Sequence, residues 1–184
     1  GKATTRAYPP GGGASGTLEM QVAVKTYPVE GRNYDALTAS LRARGPQGFH
    51  GLAKWRVSYE FTSKRERDLC RIDTVRVTIA GEILMPHWTE ASLAQPALQR
   101  HWSDYYAALK VHEDGHIQHG RELAVLVKER LLGLGAVPCE RLNATAHGEF
   151  NPLYANLRNR DAEYDARTGH GATQAAYSRR VPQF

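Results

Sequence analysis

Between residues 52 and 62 the chain reads LAKWRVSYEFT, with Trp55, Val57, Tyr59 and Phe61 alternating against Lys54, Arg56, Ser58 and Glu60. Successive side chains of a strand point to opposite faces, so this alternation predicts a half-buried strand. CRIDTVRVTIAGEILMP (70–86) repeats the pattern with Ile72, Val75, Val77 and Ile79, up to Gly81, where a break or bulge is expected. The charged stretch SKRERD (63–68) lies between the two, and a β-hairpin or meander is the economical connection. Upstream, TLEMQVAVKTYPV (17–29) alternates in part and is rich in β-formers, which predicts another strand. Within GRNYDALTASLRARGP (31–46), Tyr34, Leu37 and Leu41 fall at helical spacing, and Gly45-Pro46 stops the helix.

After residue 91 the period changes. Leu98, Trp102, Tyr105, Tyr106, Leu109, His112, His116, Leu123, Leu126, Val127, Leu131 and Leu134 mark one helical stripe, ended by Gly133, Gly135 and Pro138. The stripe spans one long helix or two shorter ones. CERLNATAHGEFNPLYANLRNRDAEYDART (139–168) predicts a further helix, weakened at Gly148 and Pro152. Strands first and helices second make the class α+β, in one domain over residues 17–175. Residues 1–16, rich in Gly, Pro, Ala and Thr, read as a flexible leader, and 176–184 as a tail. The leader lacks the apolar centre of a signal peptide, so the chain begins after a removed signal or without one. No apolar run reaches membrane-spanning length.

Net charge of +5 raises the question of nucleic acid. Lys and Arg are scattered, however, and the one dense cluster, 63–68, includes acids, so no nucleic-acid partner is expected. A basic protein suits an anionic cell envelope equally well. Cys70 and Cys139 allow one pairing, and the residues leave open whether they form a disulfide or remain two buried thiols.

The long helix carries VHEDGHIQHGRE. His112-Glu113-Asp114-Gly115-His116 fits H-E-x-x-H. Positions i and i+4 share a helix face one turn apart, so both imidazoles reach one ion, and Zn2+ accepts such nitrogens at about 2.0–2.1 Å. Glu113 projects beside the ion, where it takes a proton from an activated water as general base. A helix with merely solvated polar residues is the weaker reading, because both histidines fall on an apolar stripe. Gly115, a poor helix former, sits where a bulkier side chain would crowd a neighbour. The extended pattern with a third His six residues on fails here: His119 occupies the expected Gly and Glu122 the expected His. Glu122 points too far along the axis, and His119 reads as a supporting or surface histidine.

A helical hairpin supplies a third ligand instead. If the chain turns near 135–138 and returns antiparallel, the level of His112 and His116 is met near Glu163, within the segment holding Asp161, Glu163, Asp165 and His170.

At YDARTGHGATQ (164–174), read after VHEDGH and together with YPVEG, RGP, WRVSYEF and the span from Cys70 to MPHW (85–88), the sequence resembles the DUF922 family, grouped as predicted secreted zinc-dependent proteases of bacteria. The resemblance covers roughly residues 20 to 175. It implies a zincin-like fold, with a mixed or antiparallel sheet and helix preceding the long H-E-x-x-H helix and an antiparallel C-terminal helix. It also implies export to the periplasm or medium and proteolysis. It favours Asp165 and His170 over Glu163 and tilts the cysteines towards a disulfide. Either residue is a good zinc ligand. The expectation is a metal set of His112, His116 and His170, with Asp165 hydrogen-bonding a ligand histidine. The competing arrangement has Asp165 ligating and His170 steadying an oxyanion. Tyr164 is a further oxyanion candidate, against the reading of a packed aromatic.

The expected function is therefore a zinc metallopeptidase acting on a peptide or protein, with Glu113 as base. A non-catalytic envelope protein keeping the fold is one alternative, which the intact Glu113 argues against. A metal-dependent amidase acting on cell-wall peptides is another.

Overall fold

The structure is a computed structural model and describes residues 13–174. The expected tail, and residues 1–12 of the expected leader, lie outside the described residues. Strand β1 (Ser15–Val29) is followed by helix α1 (Tyr34–Arg44), a 3-10 turn at Pro46–Gly48, the hairpin β2 (Leu52–Glu66) and β3 (Leu69–Trp88), the long helix α2 (Pro96–Leu132), a two-residue strand β4 (Val137–Pro138) and helix α3 (Leu142–Thr168). The class is α+β with a mixed sheet.

β3 is the central strand. β1 pairs with it in parallel from Ser15 opposite Thr74 to Val29 opposite Trp88. β2 pairs with it antiparallel, with Trp55 opposite Gly81 and Val57 opposite Ile79. The alternation of 52–62 has its predicted effect: Trp55 and Val57 are buried while Lys54, Arg56 and Ser58 are exposed. The outer face carries cross-strand ion pairs, Lys25 with Glu82 and Arg76 with both Glu19 and Glu60. Gly81 does not interrupt β3. A Cβ there would lie 3.0 Å from Ile117 Cδ1, so the missing side chain makes room for the helix above. The irregularity falls instead at Thr62/Ser63.

The inner face is covered by α2, one uninterrupted 37-residue helix. Pro96 at its first turn needs no hydrogen-bond partner for a missing N–H, and Gly133 follows its last residue. Tyr105, Leu109, His112, Glu113, His116, Ile117, Gly120, Leu123, Ala124, Val127 and Leu131 form its buried stripe. Leu126, expected on that stripe, is at the surface. At Gly120 the helix lacks a side chain because the Trp55 ring lies against it.

α3 returns antiparallel to α2: His112 meets Asp165, His116 meets Asp161, and Arg130 meets Glu149. It runs through Gly148 and Pro152 without stopping. Cys70 and Cys139 form a disulfide that joins the β2–β3 hairpin to the α2–α3 connection. β4 reinforces the same junction, pairing Val137 with Cys70. No helix among the described residues is long and apolar enough to cross a membrane.

Candidate metal centre

His112 and His116 sit on the buried face of α2, 2% and 6% exposed. Their Nε2 atoms face each other at 3.3 Å. Asp165 Oδ1, from α3, stands 3.2 Å from His112 Nε2 and 3.0 Å from His116 Nε2. The three atoms form a nearly equilateral triangle. Donors around a tetrahedral zinc with 2.0–2.1 Å bonds are separated by roughly 3.3 Å, so the spacing fits such an ion.

The opposite ring nitrogens are all engaged. His116 Nδ1 donates to Asp161 Oδ1 at 2.9 Å, and His119 Nδ1 donates to the same oxygen at 2.7 Å. Asp161 Oδ2 accepts from the Trp55 indole at 3.1 Å. His112 Nδ1 donates to Gln174 Oε1 at 2.9 Å. With both Nδ1 atoms donating, each Nε2 keeps its lone pair directed at the other and at the Asp165 carboxylate. Three acceptors converging, two of them on buried imidazoles, require a positive charge between them, either a proton on His116 or a cation.

The electrostatics follow from the same contacts. Burial pulls the His116 pKa down, but its hydrogen bond to Asp161 and the charges of Asp161, Asp165 and Glu113 outweigh it and leave the value raised. His112 is lowered, chiefly by burial. Burial works to raise Asp161, yet its hydrogen bonds from His116 and His119 hold the carboxyl below the usual range.

Glu113 is 4% exposed and stands beside the triangle, among donors close enough to share a cation with His112 and His116. Its carboxylate accepts a hydrogen bond from the Ala53 N–H. A Cβ at Gly51 would press on Glu113 Oε1, so the start of β2 is shaped around this side chain. Burial pushes the Glu113 carboxyl up to about 7, with Asp165 adding to the rise and His116 opposing it. His116, His119 and Asp161 form a second close group. There Asp161 Oδ1 accepts from both histidines and Oδ2 from Trp55, which makes it a support for His116 rather than a rival centre.

Tyr164 stacks on His112, rings 4.9 Å apart at 11°, and its hydroxyl donates to the His112 carbonyl at 3.2 Å. That hydroxyl lies over Gly115, where any Cβ would collide with it. His170 follows the end of α3 with φ of 53°, between Gly169 and Gly171, which also have positive φ. Its Nδ1 is 3.4 Å from Asp165 Oδ1, and its ring lies 4.3 Å from that of Phe49 across the cleft. Glu122 points away and pairs with Arg160 at 3.1 Å.

The triangle opens into a cleft of about 490 Å³. The start of β2 forms one wall and α3 from Arg158 to Asp165 the other. Sequence reasoning did not assign roles to Gln174, Gly51 or Asp161. Asp161 left a signal: Asp161 and Asp165 repeat on α3 the i, i+4 spacing of His112 and His116 on α2.

The fold and site together define an α+β protein whose long helix presents an H-E-x-x-H pair to carboxylates of an antiparallel neighbour. The chain belongs to the family described as bacterial protein of unknown function (DUF922), whose model matches residues 24–171. No curated protein and no solved structure matches it.

Proposed function

We propose that the protein is a zinc-dependent peptidase, held by His112, His116 and Asp165 on the metal side and using Glu113 as general base. The observation that carries this reading is the convergence of two buried imidazole nitrogens and a half-buried carboxylate oxygen beside the buried Glu113 carboxylate, at the floor of an open cleft. Asp165 replaces His170 as the proposed third donor, because its oxygen is within 3.2 Å of both Nε2 atoms while His170 reaches only Asp165.

Zinc, when bound, supplies Lewis acidity towards a peptide carbonyl and towards a water molecule. The residues of the chain do the rest. Asp161 and Gln174 hold the two imidazoles in the tautomer that leaves Nε2 free. Glu113, its value raised towards neutrality, accepts a proton from the attacking water and returns it to the departing amine. His170, on the open side of the cleft, is placed to donate to the carbonyl oxygen as negative charge develops. The disulfide supports an oxidising, extracytoplasmic location.

The test is Glu113→Gln in the full chain loaded with one equivalent of zinc, assayed on a mixed peptide library. The variant should retain zinc and lose hydrolysis by at least about a hundredfold. Undiminished turnover removes Glu113 from the chemistry. A wild type that holds zinc but cleaves no peptide in the library contradicts the proposed activity.

A further inference from the structure

A second cavity, about 300 Å³, lies between α1 and the first turns of α2. It is separated from the metal cleft by a single stretch of chain. Gln47, Phe49 and Gly51 face the cleft, whereas Gly48 and His50 face the second cavity. The volume is at the small end of the range for ligand pockets.

Its lining has a distinct chemistry. Leu37, Leu41, Leu98 and Trp102 give it an apolar body. No carboxylate lines it, while Arg42, His50 and His101 do. Arg42 is exposed on α1. Its neighbours Arg32 and Arg44 pair with Glu90 and Glu30, whereas Arg42 has no ion pair among the described residues. His101 Nε2 is buried in the wall with no hydrogen-bond partner among the described residues. A buried polar atom left unsatisfied is uncommon and calls for a reason.

We propose that this cavity binds a small organic acid, its apolar or aromatic body against the leucines and Trp102 and its carboxylate at Arg42. The apolar floor excludes a bare inorganic anion as the preferred ligand. The cation at the mouth, with no acid beside it, selects carboxylates over neutral molecules of the same shape. The site does not depend on the peptidase reading, because none of its lining residues belongs to the donor triangle or to Glu113.

The test is calorimetric titration of the full chain with N-acetyl-phenylalanine and with its neutral amide, in zinc-free and zinc-loaded protein. The His101 imidazole proton signal is followed by NMR in parallel. The acid should bind in both metal states and shift the His101 signal. The amide should bind about tenfold more weakly or worse, and Arg42→Gln should erase that difference. Arg42 is exposed, so this variant leaves the core intact. Four results would each overturn the proposal: no binding of the acid, equal binding of the amide, unchanged selectivity in Arg42→Gln, or binding that needs zinc and disappears in Asp165→Ala.

Discussion

Replacing Gly115 by alanine probes the packing of α2 against α3 without any assumption about activity. In an ordinary helix interior the change stabilises by up to about 1 kcal/mol, because glycine is the poorer helix former. Here the new methyl would meet the Tyr164 hydroxyl and come 3.0 Å from Cε1 of its ring. Tyr164 cannot retreat freely, since it stacks on His112 and donates to the His112 carbonyl. Overpacking of this kind costs about 1–3 kcal/mol, and loss of the hydrogen bond about 1 more. After subtracting the propensity gain, Gly115→Ala should destabilise by about 1–3 kcal/mol. In a Tyr164→Ala background the obstruction is gone, and the same change should stabilise by up to about 1 kcal/mol. Urea unfolding of the four proteins of this cycle, with chelator present so that metal binding does not contribute, measures the coupling. A Gly115→Ala that stabilises equally in both backgrounds would refute the placement of Tyr164 over the motif.

Two further outcomes follow from the buried charge and the cross-link. Glu113 has a carboxyl raised from 4.5 to about 7, so the folded state is favoured fully below 4.5 and loses stability as pH rises towards and through about 7. That loss is on the order of 3 kcal/mol in metal-free protein, and Glu113→Gln should flatten it in urea titrations at successive pH values; an identical pH profile in the variant would contradict the burial. The Cys70–Cys139 disulfide spans 69 residues, and the double Ser variant should lose about 4 kcal/mol in the chain-entropy picture; an unchanged unfolding midpoint would show that β4 and the α3 contacts alone hold the junction.

The strands and α2 were legible because their periods are strong and local, whereas α3 shows little periodicity and was read from its helix-forming composition. Trp55 and Val57 alternate with Lys54 and Arg56, and His112 to Leu131 repeat at three and four. The hairpin level was also legible, since helix rise is fixed: a return antiparallel to α2 necessarily brings residues near 163 to His112. Gly81 misled because its reason lies in Ile117 of the helix packed over the sheet, and no local pattern encodes that. Which of Asp165 and His170 stands between the two imidazoles could not be read, because it depends on backbone geometry after the helix. Three consecutive residues of positive φ, Gly169 to Gly171, swing His170 out to Phe49 and leave the position between the imidazoles to Asp165. Asp161 was visible as a carboxylate at the right level, but its sharing between His116 and His119 is a property of the packed helices alone.

The donors to the proposed zinc are read from a crystal structure of the zinc-loaded protein, with anomalous data at the zinc edge. One ion should appear at about 2.0–2.1 Å from Nε2 of His112 and of His116 and from a carboxylate oxygen of Asp165, with Glu113 beside it and not bound. An ion coordinated by His170 in place of Asp165, or no ion between the two histidines, would contradict the account.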